Sequence, residues 1–430
     1  MVKRIHIVGI GGVGMSAVAQ ALLDGGVVVS GSDRLLDTGD STPVLECLDR
    51  QGVRLFPQNG SGVDAAVERV VISSAIENDN PDYKRAVELN ISVEHRSRAL
   101  KRIVSGRELV AVTGTCGKSS VTAMLGTVLA SCGFDPLVVN GAAVTGWDDG
   151  NTRVGSVRRG AGIAIIEADE SDRSLMNFSP EYAIITNASA DHFNLQETLS
   201  LFDDFRKKVG AVVIDGLNDD DTEGLMQCSG LGGSFVFEGH EYSVPVPGVH
   251  NVRNARHAVR MALALGAAPE KTARALSGFR GVERRLQIVG ECNGAVVIDD
   301  YAHNPEKLSA AWRTLADAFP GGVCGLWRPH GYAPLRKMMD DLVYMFASVC
   351  SERDKLILLP VYDAGGTTER DVNSEDLASK LKAEGVKVEL LKNLGCAEKR
   401  MRELSCGFGV LAGFGARDPG LPRLAARLAE

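Results

Sequence analysis

The stretch Leu109 to Thr122, LVAVTGTCGKSSVT, constrains the fold of this chain more than any other. An apolar run that reads as a strand ends in Gly114-Thr115-Cys116-Gly117-Lys118-Ser119, and the VTAMLGTVLA that follows has the spacing of a helix. Strand, glycine turn and helix in that order build a phosphate cradle. Glycines let backbone N–H groups approach phosphate oxygens, and the helix N-terminus favours negative charge. Lys118 can reach a terminal phosphate, and the Ser119 hydroxyl suits a Mg²⁺ ion. The G-x-x-G-K-S spacing is shorter than the common G-x-x-x-x-G-K-[ST] loop. The competing reading is a glycine turn that binds nothing, but a buried turn has no need of a lysine and a hydroxyl side by side.

The rest of the chain agrees with an α/β protein. At 430 residues it is long enough for about two or three domains. A net charge of −8 without a basic block argues against nucleic acid as the main partner, while leaving room for a local basic pocket. The nine cysteines are scattered with no C-x-x-C pair, as expected of reduced thiols in a cytoplasmic protein. The start, MVKRIHIVGIGGVGMS, carries positive charge and then apolar residues, but glycines break the run at once, so it reads as a first strand and not a signal peptide. No run approaches the ~18 apolar residues of a membrane span, so no membrane insertion is expected.

Residues 2 to 33 read as strand, turn, helix, strand, with Gly9-x-Gly11-x-x-Gly14 opening the helix and Asp33 ending the second strand. That satisfies the dinucleotide fingerprint, which would serve any diphosphate. RVVISSAI ends in Ser73-Ser74, and alternation continues to about Gly106, suggesting a small parallel sheet. In the second unit, GIAIIE stops at Glu167 before ADESD, and YAIITN stops at Asn187 before Ala190-Asp191-His192. Ligands of open parallel sheets bind beyond the strands' carboxyl ends, so Glu167 and His192 converge on the cradle's crevice. Asn251 and Asn254 lie one helical turn apart, where two amides could read a base edge; taken alone, helix capping is the favoured reading. A third domain is expected from near Gly278, with Asp299 and Asp300 closing a strand, His303 beyond, and Arg328, His330, Arg336, Arg417 and Asp418 at strand ends or helix starts.

HIVGIGGVGMS, ISSAI, GTCGKSS, EADESD, ADH, PGVHNVRNA, RR, DDYAHNP and RPHGY together resemble, in order and spacing, the Mur ligases. The resemblance runs over nearly the whole chain and is nearest to the alanine-adding members. It implies three domains: a Rossmann-like UDP-sugar domain over residues 1–106, a central P-loop-type ATP domain over 107–278, and a Rossmann-like amino-acid domain over 279–430. It implies an ATP-dependent ligase that forms an amide between the carboxylate of UDP-N-acetylmuramate and an amino acid, alanine in the nearest members, in peptidoglycan precursor synthesis. By similarity, Gly11, Gly12, Gly14, Asp33 and Ser74 would bind the UDP-sugar. Gly114, Thr115, Cys116, Gly117, Lys118, Ser119 and Ser120 would hold ATP, with Asn251 and Asn254 on adenine. Ser119, Glu167 and His192 would hold metal, with His192 among the catalytic groups beside Lys118 and Asp300. Arg285 and Asp300 would close over the ATP, and His303, His330 and Arg336 would face the amino acid.

Several positions depart from the alanine-adding pattern. Cys116 stands where a histidine is usual, NASADHFN precedes and includes His192 where an acid and a methionine are more common, and the region before Pro247 is short. The segment after the Pro-His pair is HGYAPLR, with Gly331 and Pro334 in place of arginines that help hold the incoming carboxylate; Arg417 in GFGARDP could supply a replacement charge. A carbamylated lysine is not selected between Lys207 and Lys208, nor is an oligomeric state. Alternatives are a ligase with another amino acid or acceptor, a NAD-dependent oxidoreductase that leaves Lys118, Glu167 and Asp300 unexplained, and a nucleotide-binding protein without catalysis.

Overall fold

Alternating strands and helices assemble, in the computed structural model, into three open sheets and a small β-region; the structure describes residues 4–39, 41–148, 153–189, 193–217, 227–363, 369–416 and 418–430. The chain divides into two compact units, one of Met1–Leu225, Ser234–Val244 and His250–Val282, the other of Met226–Gly233, Pro245–Val249 and Glu283–Glu430.

The first unit holds two of the sheets. In one, five strands are ordered Arg54–Pro57, Val29–Asp33, Arg4–Val8, Val67–Ile72 and Ser92–His95, every neighbouring pair parallel. The chain winds outward in both directions from Arg4–Val8, so the crevice of this sheet opens beyond Val8, where the Gly9–Gly14 turn lies. In the other, six strands are ordered Val212–Asp215, Tyr182–Ile185, Leu109–Thr113, Ala164–Glu167, Leu137–Val139 and Val157–Arg158, parallel except for the last. Leu109–Thr113 is buried at every residue, as an unbroken apolar run in a sheet covered on both faces should be. The two sheets share a core: Ala17 and Ala21 of the helix Val13–Asp24, with Leu100, pack with Leu137, Val139 and Val157. Small alanines let that helix approach the second sheet closely. Arg153 adds a two-pronged pair to Asp24, at 3.1 and 2.8 Å.

The short region before Pro247 contains the strands Gly232–Phe237 and His240–Val244, where Phe235 and Tyr242 stack with ring centroids 5.3 Å apart. Pro247-Gly248 leads into the helix Val249–Ala264.

The second unit carries a six-stranded sheet ordered Gln287–Cys292, Ala295–Asp300, Val410–Phe414, Val323–Trp327, Lys355–Leu358 and Val388–Leu390, parallel apart from its first edge strand. Trp312, Trp327, Phe346 and Phe414 fill the core on one face. Arg328 and Asp418 pair at 2.5 Å, tying two strand ends together. Among the described residues, no helix is long and apolar enough to cross a membrane.

Candidate active site

The turn after Leu109–Thr113 is shaped by contacts from other elements. Gly114 has φ +129° and Gly117 φ +86°, both where side chains are strained. A side chain on Gly114 would collide with Thr186, and a Cβ on Gly117 would lie 2.5 Å from Asn254 Oδ1. Asn187, just beyond the neighbouring strand Tyr182–Ile185, clamps the loop. Its Oδ1 accepts from the Cys116 N–H at 2.9 Å, its Nδ2 donates to the Cys116 carbonyl at 2.9 Å, and its own carbonyl accepts from the Thr115 N–H at 3.1 Å. The Thr115 hydroxyl accepts from the Ser189 N–H at 3.0 Å. The loop is thereby held in shape, and the helix Lys118–Ser131 begins at Gly117 with its free amides at the mouth.

Lys118 and Ser119 lead to two different acids. Lys118 Nζ donates to Glu170 Oε2 at 2.7 Å and to the Gly114 carbonyl at 2.8 Å. Burial lowers the lysine's affinity for its proton, but the carboxylates of Glu170 and Glu167 outweigh it, and its pKa is raised. Lys118 is therefore a cation poised at the cradle. Ser119 Oγ donates to Glu167 Oε2 at 2.8 Å, and the Gly141 N–H donates to the same oxygen at 2.8 Å. Ser119 Oγ and the Glu167 carboxylate are hard oxygen ligands that suit a cation sharing its shell with phosphates and water. Among the described residues, no group of three or more His, Cys, Asp or Glu forms a self-sufficient metal cage. Ser120 is half-buried in the first turn of the helix. Asn251 and Asn254 lie inside the helix Val249–Ala264, 5% and 6% exposed, so the capping reading of these two residues is overturned: the helix starts before them. Asn254 instead backs the cradle at Gly117.

The first sheet's turn is built differently. Gly12 caps the helix Val13–Asp24 without a side-chain bond, and Gly11 donates its N–H to Asp33 Oδ2 at 2.9 Å. The other Asp33 oxygen accepts from the Leu35 N–H at 3.1 Å, so this acid shapes the turn and the chain after it. Ser74 Oγ donates to Asp172 Oδ2 at 3.1 Å and lies 3.2 Å from His95 Nε2. Burial lowers the pKa of His95, with Asp172 opposing. Arg96 Nη2 donates to Asp169 Oδ2 at 2.8 Å. The six residues Glu167–Asp172 thus reach two sites at once, Glu167 and Glu170 toward the cradle and Asp169 and Asp172 toward the first sheet.

In the second unit, Arg284 and Leu286 have φ of 59° and 45°, which places Arg285 on a tight loop. Asp300 holds it: its two oxygens accept from the Leu286 and Ala302 N–H groups at 2.7 Å each. Burial raises the Asp300 pKa against those two bonds, and Asp299 is pushed up to about 6, chiefly by burial, while bonded to Arg284 Nε at 3.2 Å. Arg285 lies over the Tyr301 ring at 5.6 Å. His303 and His330 meet edge to face at 4.9 Å. Arg336 is 38% exposed and paired with Asp371 and the Glu369 carbonyl. His192 and Arg417 lie outside the described residues.

Cavities open at both ends of the strands among the described residues of the first unit. One of about 70 Å³ is lined by Gly14, Arg96, Asn140, Gly141, Glu167 and Asp169, and so joins the first turn to the cradle acid. Another, about 710 Å³, lies by the opposite strand ends around Ile5 and Leu137, where Arg102 is engaged by Glu94 and Arg107 by the Gly162 carbonyl. The small cavity lies at the carboxyl ends of strands from both sheets.

The sequence reading gives Arg96 no role, Glu170 none beyond its place in ADESD, and Asn187 only the end of a strand. ADESD and the strand-end asparagine are visible there, but their partners lie 52, 71 and 73 residues away in the chain.

A lysine and a hydroxyl at a helix start, faced by acids from a neighbouring strand and joined to a second glycine turn, define an α/β protein of the nucleotide-binding, parallel-sheet class. Comparison with known proteins gives the family. Residues 4–108 match the Mur ligase family, catalytic domain; residues 112–201 the Mur ligase middle domain; and residues 284–410 the Mur ligase, glutamate ligase domain. The UDP-N-acetylmuramate–L-alanine ligase of Sinorhizobium medicae is 31% identical over 423 residues, covering 89% of this chain and 87% of its own. Its counterpart in Geotalea daltonii is 33% identical over 418 residues, covering 89% and 88%. The solved UDP-N-acetylmuramate-alanine ligase of Thermotoga maritima matches with a TM-score of 0.81 at 27% identity, over 99% of this chain and 98% of that one. A murein peptide ligase from Psychrobacter arcticus shares the fold, with a TM-score of 0.65 at 19% identity over 99% of this chain and 98% of its own. The chain belongs to the Mur ligase family.

Proposed function

We propose that this protein joins L-alanine to the carboxylate of UDP-N-acetylmuramate at the expense of ATP, a step in peptidoglycan precursor synthesis. The observation that carries the reading is the match, over 89% of the chain, to ligases named for that reaction. The cradle supports it. A carboxylate is a poor electrophile, so its oxygen first attacks the terminal phosphorus of ATP; the bond to ADP breaks and an acyl phosphate forms. The amine nitrogen of alanine then attacks the acyl carbon, the C–O bond to phosphate breaks, and the nitrogen loses a proton. Lys118 neutralises charge on the transferring phosphoryl group, and the helix amides after Gly117 orient it. Ser119 and Glu167 would hold Mg²⁺, which neutralises phosphate charge when bound; His192 is assigned to a second metal by family likeness.

The Gly11–Gly14 turn takes the UDP diphosphate, with Ser74 nearby, and Asn251 and Asn254 face adenine. Arg285, held by Asp300, is assigned to ATP, and His303, His330 and Arg336 to the amino acid. The division into residues 1–106, 107–278 and 279–430 follows these three tasks, and the cytoplasm, which supplies ATP, is the expected compartment. A specific observation favours a second reading, the same chemistry with another amino acid: Arg336, left alone in HGYAPLR, is already paired with Asp371.

The test is incubation with ATP, Mg²⁺, UDP-N-acetylmuramate and single amino acids, following phosphate release and product mass. Alanine-dependent release with a product heavier by one alanyl group is expected. Turnover only with a different amino acid moves the assignment to the second reading, and no release with any amino acid overturns both.

A further inference from the structure

A diphosphate needs cationic compensation, and the Gly9–Gly14 turn has none of its own. The first turn of the helix Val13–Asp24 holds no charged side chain, and the nearest ionisable group bonded to the turn is Asp33, an anion. The backbone amides and helix dipole supply only partial positive charge. Among the described residues, a cation does touch the turn. The strand Ser92–His95 runs parallel within the same sheet and ends where the helix Arg96–Ile103 begins, which brings Arg96 to Gly14. A Cβ on Gly14 would lie 2.5 Å from Arg96 Nη1, so the guanidinium rests directly against the glycine. The side chain is 28% exposed and borders the 70 Å³ cavity that runs from Gly14 to Glu167.

The same guanidinium faces two acids, Asp169 Oδ2 at 2.8 Å and Asp172 Oδ2 at 3.7 Å. Asp172 is also shared with Ser74 and with His95, 3.4 Å away. We propose that Arg96 is a substrate-positioning residue that donates to the diphosphate of the UDP-sugar, and that Asp169 holds it in place and competes with the diphosphate for it. The inference rests on the reading of the first sheet as the UDP-sugar site. A planar guanidinium has five N–H donors, so Nη1 can face the turn while Nη2 retains an acid. Gly14 is then required because any side chain there would displace the group that meets the phosphate.

An alternative role, a purely structural ion pair between the two sheets, predicts that removing either partner has the same effect. Opposite effects are therefore the test. UDP binding to the full chain is measured by calorimetry for the wild type and for Arg96→Gln, Arg96→Lys and Asp169→Asn, each checked for an unchanged thermal transition. Arg96→Gln should weaken UDP binding about tenfold or more, and Arg96→Lys should recover part of it. Asp169→Asn should leave UDP binding unchanged or tighten it, because the competitor has lost its charge. UMP, which lacks the second phosphate, should be affected less than UDP by Arg96→Gln. Equal weakening by Arg96→Gln and Asp169→Asn, or no weakening by Arg96→Gln, overturns the proposal while leaving the UDP-sugar reading intact. If the wild type itself fails to bind UDP, that reading falls first and this inference with it.

Discussion

The two glycine turns of the first unit follow the same local plan and carry opposite electrostatics. After Arg4–Val8 the turn has no charged group in its helix's first turn, and its own acid, Asp33, is bonded to the turn's backbone. After Leu109–Thr113 the helix opens on Lys118 and Ser119, and the acids come from the next strand, bonded to those two side chains. On the proposed reading, the first turn would bind a phosphate group that does not react, and the second would place the Lys118 charge, held by Glu170 and the Gly114 carbonyl, where a phosphoryl group is transferred. On that reading, strand, glycine turn and helix provide the cradle, and the residues just after the last glycine set whether chemistry occurs in it.

The sharpest way to break that comparison is at Lys118. Lys118→Ala should lower turnover about a thousandfold, the scale of losing a key charge-stabilising donor, and leave UDP affinity within about twofold. Steady-state kinetics and calorimetry with UDP check the two halves. Loss of UDP binding would mean that the turns are not functionally separate.

The strands that feed the turns differ too. Arg4–Val8 contains His6, fully buried, with Nδ1 3.0 Å from Ser30 Oγ, whereas Leu109–Thr113 has no ionisable residue. Burial, helped by Arg4, lowers the His6 pKa from 6.5 to about 4. A lowered pKa means that the unfolded chain binds the proton more readily between these values. The His6 contribution is therefore full above pH 6.5 and is lost as pH falls toward about 4, a change of roughly 3 kcal/mol at most. Denaturant unfolding at pH 7 and pH 4.5 should show the loss, and His6→Asn should reduce the slope. Part of the slope should persist in that variant, because His250, chiefly through burial, is also lowered to about 4. A slope identical in His6→Asn and wild type would remove His6 from the account.

A smaller effect is expected at Gly117. Gly117→Ala would force a Cβ into the left-handed region at φ +86° and against Asn254, a strain of ~1–2 kcal/mol from the backbone alone. The Michaelis constant for ATP should rise about tenfold, with UDP affinity unchanged; a proportional loss in UDP affinity would again argue that the turns are coupled.

What the sequence makes legible is local. The two turns, the strands that end at Glu167 and Asn187, and the alternation that makes the sheets parallel all show themselves within short windows, because periodicity and glycine placement are local signals. Asn251 and Asn254 mislead when read alone, since capping depends on where the helix starts and Val249–Ala264 starts two residues earlier than Asn251. The partners of Glu170, Asn187 and Arg96 are illegible for another reason. Each is an ordinary polar residue until the fold sets it against a partner on a different element, and an acid run such as EADESD does not reveal which acids face which sheet.

The smallest effect tests what Asp33 does. Its position at the end of the second strand is where a dinucleotide fingerprint places a ribose-binding acid, yet its oxygens accept from the Gly11 and Leu35 amides. Asp33→Asn retains one acceptor and loses the charge, so the turn should keep its path with weaker bonds, and UDP affinity should fall about threefold to tenfold. If Asp33 serves the turn, 2′-deoxy-UDP loses the same factor as UDP in this variant. If it reads the ribose, the variant erases the difference between the two nucleotides that the wild type shows. The first outcome keeps the two turns distinct, one shaped by its own acid and the other armed by acids borrowed from its neighbour; the second would make Asp33 a ligand group and bring the turns closer in kind.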